Sequence, residues 1–337
     1  MTSAQVDNAA IDTKAVAAFV AEYGERATAL PPLAIVIAAY NEQGAIGPVV
    51  EALPKEVLGQ ATAVIVVSDG SKDGTVAEAS AAGALVCDPK VNRGQGAALR
   101  LGYRLAREGG AEYIVTTDAD GQYNPAEIEL LMEPILAGEA DFVTGSRRLG
   151  SEETKDPVRK AGVRFFALAI STLTGQKISD TTFGLRAMRA EVTGAVLLAQ
   201  PQYQASELLI GVITHGYRVV ERPATIHKRQ VGKSKKGNNA FYALQFAKVV
   251  GTTWWRERQR RGSVSAASGA TGAEAAERPA AGPAAERPAA GPVASANGAG
   301  STAAATSSAS GSSAPDSSVS DDASLAERGP RRSAKST

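Results

Sequence analysis

The stretch AEYIVTTDADGQ, residues 111–122, joins a short apolar run directly to a group of side chains that carry oxygen atoms. The apolar run is typical of a buried strand. Because alternate residues of an extended segment point to the same side, Asp118, Asp120 and Gln122 can converge where the strand ends. Two converging carboxylates repel each other unless a cation lies between them. The pattern therefore suggests a metal site at the edge of a sheet.

Outward from this stretch, strand-like and helix-like segments alternate along the chain. The apolar runs LAIVIAAY, AVIVVSD and ALVCD come before it, and each is followed by a segment with helical spacing. This alternation predicts an α/β fold with a mostly parallel central sheet flanked by helices, in which ligands bind beyond the carboxyl ends of the strands. We predict strands over 33–40, 63–69, 84–88 and 111–118, and helices over 46–57, 73–83 and 96–110.

Composition divides the 337 residues into parts that can and cannot build a core. From residue 262 onward the chain consists mainly of Ala, Gly, Ser and Pro and contains AAERPAAGP twice in tandem. Such a segment cannot bury enough apolar surface to offset the entropy lost on ordering, so we expect disorder. We divide the chain into an N-terminal extension (1–30), a single folded domain (31–238), an amphipathic terminal segment (239–261) and a disordered tail (262–337).

Several classes of protein are disfavoured by simple counts. The single cysteine, Cys87, excludes an internal disulfide and ends an apolar run, as a small buried hydrophobic residue does. The N-terminus lacks the pattern of a signal peptide, and no run of about 18 apolar residues predicts a membrane span. A net charge of +1, and a basic loop HKRQVGKSKKG (His227–Gly237) without aromatic residues, argue against nucleic acid as a partner.

Each motif taken alone also has a structural interpretation. DADG and SDGSKDGT are good turn and helix-cap sequences, and the basic loop could be a solvated run of charges. NRGQGAAL resembles a phosphate-binding loop at a helix N-terminus but lacks the third glycine of the dinucleotide fingerprint. In the functional interpretation, the acids bind a hard divalent cation, Asp69 accepts a hydrogen bond from a base or ribose, and the basic loop closes over phosphates.

Together the motifs resemble glycosyltransferase family 2, and within it the dolichyl-phosphate mannosyltransferase-like branch that acts on polyprenyl phosphates. Between residues 33 and 237 they follow the order of that family: VIAAYNE, VSDGSKDGT, NRGQGAA, DADGQYNP, VTGSR, SDTTFGLRAMR and PATIHKRQVGKSK. The resemblance implies a GT-A-type nucleotide-sugar-binding domain. It also implies inverting, metal-dependent transfer of a sugar from GDP-mannose or a UDP-hexose to polyprenyl or dolichyl phosphate.

The resemblance also implies a role for individual residues. The nucleotide sugar would be bound by Ala38, Tyr40, Glu42, Asp69, Asp118 and Asp120. Mg²⁺ or Mn²⁺ would be held by Asp118, Asp120 and Gln122. The phosphate of the lipid acceptor would be held by Arg147, Arg159, Arg229 and Lys235. The residues implied in catalysis are Asp120, Arg229 and Lys235, with Asp180 and Glu207 as structural support.

The chain departs from the family pattern at a few positions. Ala38 stands where proline is common, Ser68 where the first of two acids is usual, and Gln95 where lysine is common. Gly121 stands where the mannosyl enzymes often have leucine. The sequence therefore leaves the base and the sugar open.

Two other functions remain as alternatives. A family 2 transferase with a saccharide or other hydroxyl acceptor would need a general base and would not need arginines for an acceptor phosphate. A nucleotide-sugar-binding module without turnover is a second alternative, although the joint presence of Asp118, Asp120, Arg229 and Lys235 argues against it.

A lipid acceptor makes the membrane surface a partner, and we expect a cytoplasmic protein attached peripherally to the inner face. The segment NAFYALQFAKVVGTTWWRERQRR (Asn239–Arg261) is the docking candidate, through Trp254, Trp255 and the four arginines that follow. In the alternative interpretation, its aliphatic part packs on the catalytic domain as an ordinary terminal helix. The sequence leaves open which protein partners take part and whether a separate membrane protein is needed.

Overall fold

The structure is a computed structural model that describes residues 3–153, 157–200, 204–228 and 247–259, without the side chains of 3–7 and 157–159. These residues fall within one compact unit. The named helices are α1 (Ser3–Tyr23), α2 (Glu25–Thr28), α3 (Ile46–Ala52), α4 (Thr75–Ala81), α5 (Gln95–Glu108), α6 (Glu127–Leu136), α7 (Pro157–Thr174), α8 (Val192–Ala195) and α9 (Gln204–Thr214). A further helix covers 247–259.

The strands form one mixed sheet. They are β1 (Leu33–Ala39), β2 (Glu56–Val57), β3 (Gln60–Ser68), β4 (Leu85–Cys87), β5 (Tyr113–Asp118), β6 (Phe142–Glu152), β7 (Arg186–Arg189) and β8 (Val219–Ile226). Their order is β2-β3-β1-β5-β7-β6-β8, and β4 pairs with β3. The first four predicted strands are parallel neighbours, β4-β3-β1-β5, which confirms the α/β class.

Strand β1 lies between β3 and β5 and is apolar throughout because both faces of the sheet are covered. Ala34 and Val36 belong to a buried cluster with residues of α1, α5 and α9. Leu33, Ile35 and Ile37 belong to a second cluster with residues of α3, α4 and α6. Since neighbouring residues of a strand face opposite sides, the two clusters are the two layers of the core.

The helix predicted over 46–57 is shorter in the structure. It ends at Ala52, and Leu53 adopts an extended conformation with ψ of 140°. Leu53 precedes Pro54, and a residue before proline is pushed out of the helical region by the proline ring. Glu56 and Val57 then form β2 instead of a last helical turn.

The alternation of strands and helices did not predict β2, β6, β7 and β8, and among these β7 changes the topology of the sheet. It runs antiparallel to both β5 and β6, and so lies between the parallel strands and the pair β6–β8. An antiparallel strand needs no crossover helix, so its sequence, RAMR, carries no strand–helix signature. Among the described helices, none is both long enough and apolar enough to cross a bilayer.

Candidate active site

The parallel strands bring the predicted motifs to one edge of the sheet. Ala38 lies opposite Asp118, and Ala39 lies opposite Ser68, so β1, β3 and β5 end at the same level. The loops that carry the motif residues all leave from this edge. The sequence predicted that ligands bind beyond the carboxyl ends of the strands, and Tyr40, Asp69 and Asp118 lie at those ends.

The loops after β1 and β3 are tied to each other by hydrogen bonds. The Glu42 backbone N–H donates to Thr75 Oγ1 at 2.8 Å, and the Asn41 N–H donates to Ser71 Oγ at 3.1 Å. Asn41 has a φ of 51°, a left-handed conformation that asparagine tolerates better than most residues. The loop that carries Tyr40 and Glu42 therefore has a fixed shape, and its contact with a nucleotide stays a prediction.

Asp69 organises the glycine loop that follows β4. Its two carboxylate oxygens accept hydrogen bonds from the backbone N–H groups of Arg93, at 2.7 Å, and Gly94, at 2.8 Å. Gly70 allows the close approach, since a Cβ there would lie 2.6 Å from the Asn92 nitrogen. Burial raises the pKa of Asp69, and the two N–H donors oppose that rise. Asp69 therefore has a structural role beside the predicted contact with the nucleotide.

The N-terminal helix contacts the same glycine loop, which the sequence analysis did not anticipate. Arg93 Nη1 lies 2.8 Å from Asp12 Oδ1 of α1, and Arg100 Nη2 of α5 lies 3.6 Å from Asp12 Oδ2. Asp12 is buried, and so is the side chain of Arg93. The only sign in the sequence is an acid in a helix that is otherwise rich in alanine.

Asp118 ends β5, and Asp120 follows it in a turn instead of on the extended segment that the sequence predicted. Both line a cavity of about 450 Å³ together with Gly121 and residues of α3 and α6. Asp120 is buried, and its Oδ1 accepts a hydrogen bond from the Gln122 backbone N–H at 3.1 Å. Gln95 Nε2 donates to Asp118 Oδ1 at 3.3 Å. Both carboxylates are thus held in place by the surrounding loops.

Gln122 connects this edge to the segment that leads into the basic loop. Its side-chain Nε2 donates to the His227 backbone carbonyl at 2.8 Å. The backbone carbonyl of Gln122 accepts a hydrogen bond from the His227 backbone N–H at 2.8 Å. The first bond uses the amide nitrogen and leaves the amide oxygen, which is the atom that a metal would take. Two carboxylates and an amide oxygen suit Mg²⁺ or Mn²⁺, which complete their coordination with water and substrate phosphates. In the described ranges no three His, Cys, Asp or Glu side chains form a metal-binding group. A metal held here would therefore also need water and substrate phosphates as ligands.

Tyr123 and Gly184 pack directly against Asp118. The Tyr123 hydroxyl accepts a hydrogen bond from the Gly184 N–H at 2.9 Å. A Cβ at position 184 would lie 2.8 Å from both Asp118 Oδ2 and Tyr123 Oη. Burial and then the charge of Asp118 raise the pKa of Tyr123 well above its usual value. Sequence reasoning missed both residues as parts of the site, although both lie inside the quoted motifs.

Arg147, predicted to hold an acceptor phosphate, is itself held by Asp180. Its Nε donates to Asp180 Oδ2 at 2.6 Å, and its Nη2 donates to Thr182 Oγ1 at 3.1 Å. Arg147 and Asp180 are both buried, and the guanidinium carbon lies 5.6 Å from the centre of the Phe183 ring. The support that Asp180 was expected to provide therefore takes the form of a buried ion pair. Phosphate binding by Arg147 stays a prediction.

Glu207 of α9 joins three segments of the chain. It accepts hydrogen bonds from the N–H groups of Ala199 and Gln200, each at 3.0 Å, and from Arg256. Arg256 also donates to Glu257 at 2.9 Å. Arg256 was predicted to contact lipid, and this part of the docking prediction is wrong because its guanidinium is used inside the protein.

The two histidines are both paired with glutamates. His215 Nε2 lies 3.2 Å from Glu257 Oε2, and His227 Nδ1 lies 3.0 Å from Glu153 Oε1. Cys87 is buried, as expected, and burial raises the pKa of its thiol to about 12. Arg229, Lys235 and the side chain of Arg159 lie outside the residues that the structure describes, so their predicted roles stay predictions.

Comparison with solved structures identifies the class of fold. Glucosyl-3-phosphoglycerate synthase from Mycobacterium tuberculosis superposes with a TM-score of 0.54 at 21% sequence identity, over 72% of this chain and 83% of that chain. At this identity the likeness concerns the fold alone. The fold is of the GT-A type, as the sequence predicted: a mixed sheet flanked by helices, with acids at the strand ends.

Comparison of sequences identifies the family. The family model described as glycosyl transferase family 2 matches residues 34–197. Dolichyl-phosphate hexose transferase from Haloferax volcanii is 34% identical over 60% of this chain and 86% of that protein. Polyprenol monophosphomannose synthase from Mycolicibacterium smegmatis is 32% identical over 62% of this chain and 83% of that protein. The chain belongs to glycosyltransferase family 2, and the protein is a glycosyltransferase.

Proposed function

We propose that this protein transfers a sugar from a nucleotide sugar to a polyprenyl or dolichyl phosphate, with inversion at the anomeric carbon. The observation that carries the proposal is the likeness to relatives over more than four fifths of their length, since their names specify dolichyl or polyprenol acceptors. The donor is GDP-mannose or a UDP-hexose.

A phosphate acceptor fits the groups around the site. The second pKa of a phosphomonoester is about 6, so at pH 7 the attacking oxygen is largely ionised without help from a protein base. A hydroxyl acceptor would need such a base.

The protein's own contribution is to position the reacting groups and to balance their charge. Asp69 shapes the loop that precedes α5, and the N-terminus of this helix offers backbone N–H groups to a diphosphate. Asp118, Asp120 and Gln122 would hold Mg²⁺ or Mn²⁺, which when bound would neutralise charge on the leaving diphosphate. The M. tuberculosis synthase of the same fold was crystallised with Mn²⁺ and UDP, and also with Mg²⁺ and UDP.

The lipid acceptor would be met at the cytoplasmic face of the membrane, where the protein is attached peripherally. Phe165 and Leu168 of α7 are 64% and 68% exposed, and Trp255 of the helix 247–259 is 59% exposed. Lys160 and Arg164 are exposed on the same helix, α7. Apolar side chains beside basic ones suit a bilayer that contains anionic lipids.

The proposal is tested by incubating the protein with Mn²⁺, polyprenyl phosphate and a panel of GDP- and UDP-sugars, and then analysing the lipids by mass spectrometry. We expect one glycolipid product, which disappears when the metal is chelated and returns when Mn²⁺ is added. The substitution Asp120→Asn should lower turnover by about 100-fold or more, because it removes one of the two charges that would hold the metal.

Glu129→Gln, an exposed position on α6, is the matched control and should transfer at the wild-type rate. Wild-type turnover of Asp120→Asn at saturating Mn²⁺ would refute the metal assignment. A product formed only with hydroxyl acceptors would refute the proposed acceptor.

A further inference from the structure

Arg186 of β7 is a buried cation whose role the site described above leaves unexplained. Its side chain is 3% exposed. Two of its nitrogens, Nε and Nη2, are buried without a hydrogen-bond partner. An arginine remains charged in a protein, so this guanidinium is buried with its charge and with two unused donors. Buried donors without a partner are rare because each one costs free energy.

The two unused nitrogens form one edge of the guanidinium. The N–H groups on Nε and Nη2 point in nearly parallel directions, and this edge can bind two oxygens of a phosphate or carboxylate side by side. In Arg147 the same two nitrogens are already used, by Asp180 and Thr182. Of these two buried arginines, only Arg186 has its two-donor edge without a protein partner.

Arg186 belongs to β7, the strand that lies between β5, which ends at Asp118, and β6, which carries Arg147. It pairs with Thr116 of β5 and Thr144 of β6, so its side chain shares a face of the sheet with Asp118, two residues beyond Thr116. Gly184, two residues before Arg186, touches Asp118. Burial lowers the pKa of the Arg186 guanidinium, and the nearby charges of Asp118 and Asp180 oppose that fall without cancelling it.

The side chains around this position are polar. The Tyr103 hydroxyl of α5 lies 3.1 Å from Oγ1 of Thr116, the residue of β5 that pairs with Arg186. The same hydroxyl accepts a hydrogen bond from Gln204 Nε2 at 3.4 Å. A structural arginine in an apolar core would be expected to use its donors on such groups. Here the polar groups bond to one another, and the Nε–Nη2 edge has no hydrogen-bond partner in the protein.

We propose that the Nε–Nη2 edge of Arg186 binds two oxygens of a substrate phosphate group, at the junction of the donor and acceptor sites. This inference rests on the proposed function, in which a phosphate is present on both sides of the transferred sugar. The ligand is the diphosphate of the donor or the phosphomonoester of the acceptor. Arg147 is then a neighbouring arginine whose orientation is set by Asp180.

The experiment measures binding by calorimetry, separately from turnover. The probes are UDP and GDP with Mn²⁺ for the donor side, and farnesyl phosphate for the acceptor side. We expect Arg186→Met to bind one of the two kinds of probe about 10- to 100-fold more weakly, because two charge-assisted hydrogen bonds are lost. The probe that loses affinity identifies the phosphate. Arg186→Lys keeps the charge but not the paired donors, so its affinity for that probe should fall between those of the wild type and Arg186→Met.

Thermal unfolding distinguishes a ligand-binding role from a structural one. Removing a buried charge that has no partner should leave the Tm of Arg186→Met unchanged or raise it. Arg189→Met is the matched control, because Arg189 ends the same strand, is partly exposed and lies 3.7 Å from Asp141. It should bind both kinds of probe as the wild type does.

Wild-type affinities of Arg186→Met for all probes would overturn the inference, whatever the Tm, and a lowered Tm would then assign Arg186 a structural role. If Arg186→Met does not fold, wild-type affinities of Arg186→Lys would overturn it in the same way. A wild-type protein that binds UDP or GDP but glycosylates no prenyl phosphate refutes the proposed function alone, and the nucleotide probes then decide on Arg186. A wild-type protein that binds no probe refutes both.

Discussion

At the scale of single residues, the absence of a side chain at position 184 controls the surroundings of Asp118. The carboxylate, the Tyr123 hydroxyl and the Gly184 backbone meet in a space that has no room for one more methyl group. Interiors are packed as densely as organic crystals, so an added carbon forces its neighbours to move. A predicted metal ligand is thus held by two residues that would not contact the metal themselves.

We predict that Gly184→Ala lowers turnover by about tenfold or more, because a small misplacement of a reacting group is costly. Its stability should fall by about 1–3 kcal/mol, the usual cost of overpacking. Turnover at saturating Mn²⁺ and thermal unfolding measure the two effects. In the double variant Gly184→Ala/Tyr123→Phe, the missing hydroxyl makes room for the methyl group and should restore part of the turnover.

Gly162→Ala on α7 is the control for this prediction, since a Cβ there would have no heavy atom within 4 Å. It should keep the turnover of the wild type. If Gly184→Ala also behaved as the wild type, Asp118 would not depend on this packing.

At the scale of elements, α7 and the helix 247–259 pack on each other. This packing covers some of the side chains that were expected to contact lipid and leaves others exposed. Val250 and the half-buried Trp254 pack with Ile170 of α7, and the Trp254 indole donates to the Leu173 carbonyl at 2.9 Å. The alternative interpretation, in which the aliphatic part packs as an ordinary terminal helix, therefore agrees with the described part of the segment 239–261. The apolar side chains that stay exposed include Phe165 and Leu168 on α7 and Trp255.

We predict that Phe165→Ser/Leu168→Ser lowers co-sedimentation with anionic liposomes by about tenfold or more. The reason is that burying each of these apolar side chains in the bilayer contributes roughly 1.5–3 kcal/mol of binding free energy. Turnover on a soluble short-chain prenyl phosphate should stay near the wild-type value. Leu130→Ser on α6, which is 42% exposed in the wild type, is the matched control and should leave liposome binding unchanged. Unchanged co-sedimentation of the double variant would exclude α7 as the docking surface.

At the scale of the whole molecule, the N-terminal helix is part of the folded unit. Phe19 is 2% exposed and packs with residues of α5 and of the strands, and Asp12 lies against the glycine loop. Helix α1 therefore supports both the core and the loop that Asp69 organises. The tail predicted to be disordered, 262–337, lies outside the described residues, as do residues 229–246 of the basic loop and the segment after it.

We predict that deleting residues 1–24 lowers both the Tm and the affinity for nucleoside diphosphates, because it uncovers the core residues against which Phe19 packs and removes the Asp12 carboxylate next to Arg93. The matched control is deletion of 262–337, which leaves the described core complete and should change neither quantity. The point variant Asp12→Asn should weaken nucleotide binding with a smaller loss of Tm. Unchanged nucleotide affinity after the N-terminal deletion would show that the glycine loop does not depend on α1.

Local patterns were enough to predict the α/β class, the parallel strands β1, β3, β4 and β5, and the edge at which Asp118 and Asp120 lie. A buried parallel strand is a continuous apolar run, and the period of two in an extended chain assigns each side chain to a face. Both signals are complete within about ten residues of sequence. The order of the seven motifs was enough to predict the family.

Only the tertiary structure decided which side chains support these residues. Gly184 reaches Tyr123 across 61 positions, Arg256 reaches Glu207 across 49, and Arg93 reaches the N-terminal helix. Such contacts have no period and no fixed spacing, because they depend on how complete elements pack. The open edge of Arg186 is of the same kind: its sequence shows an arginine in a strand, and only packing leaves two of its donors without a partner.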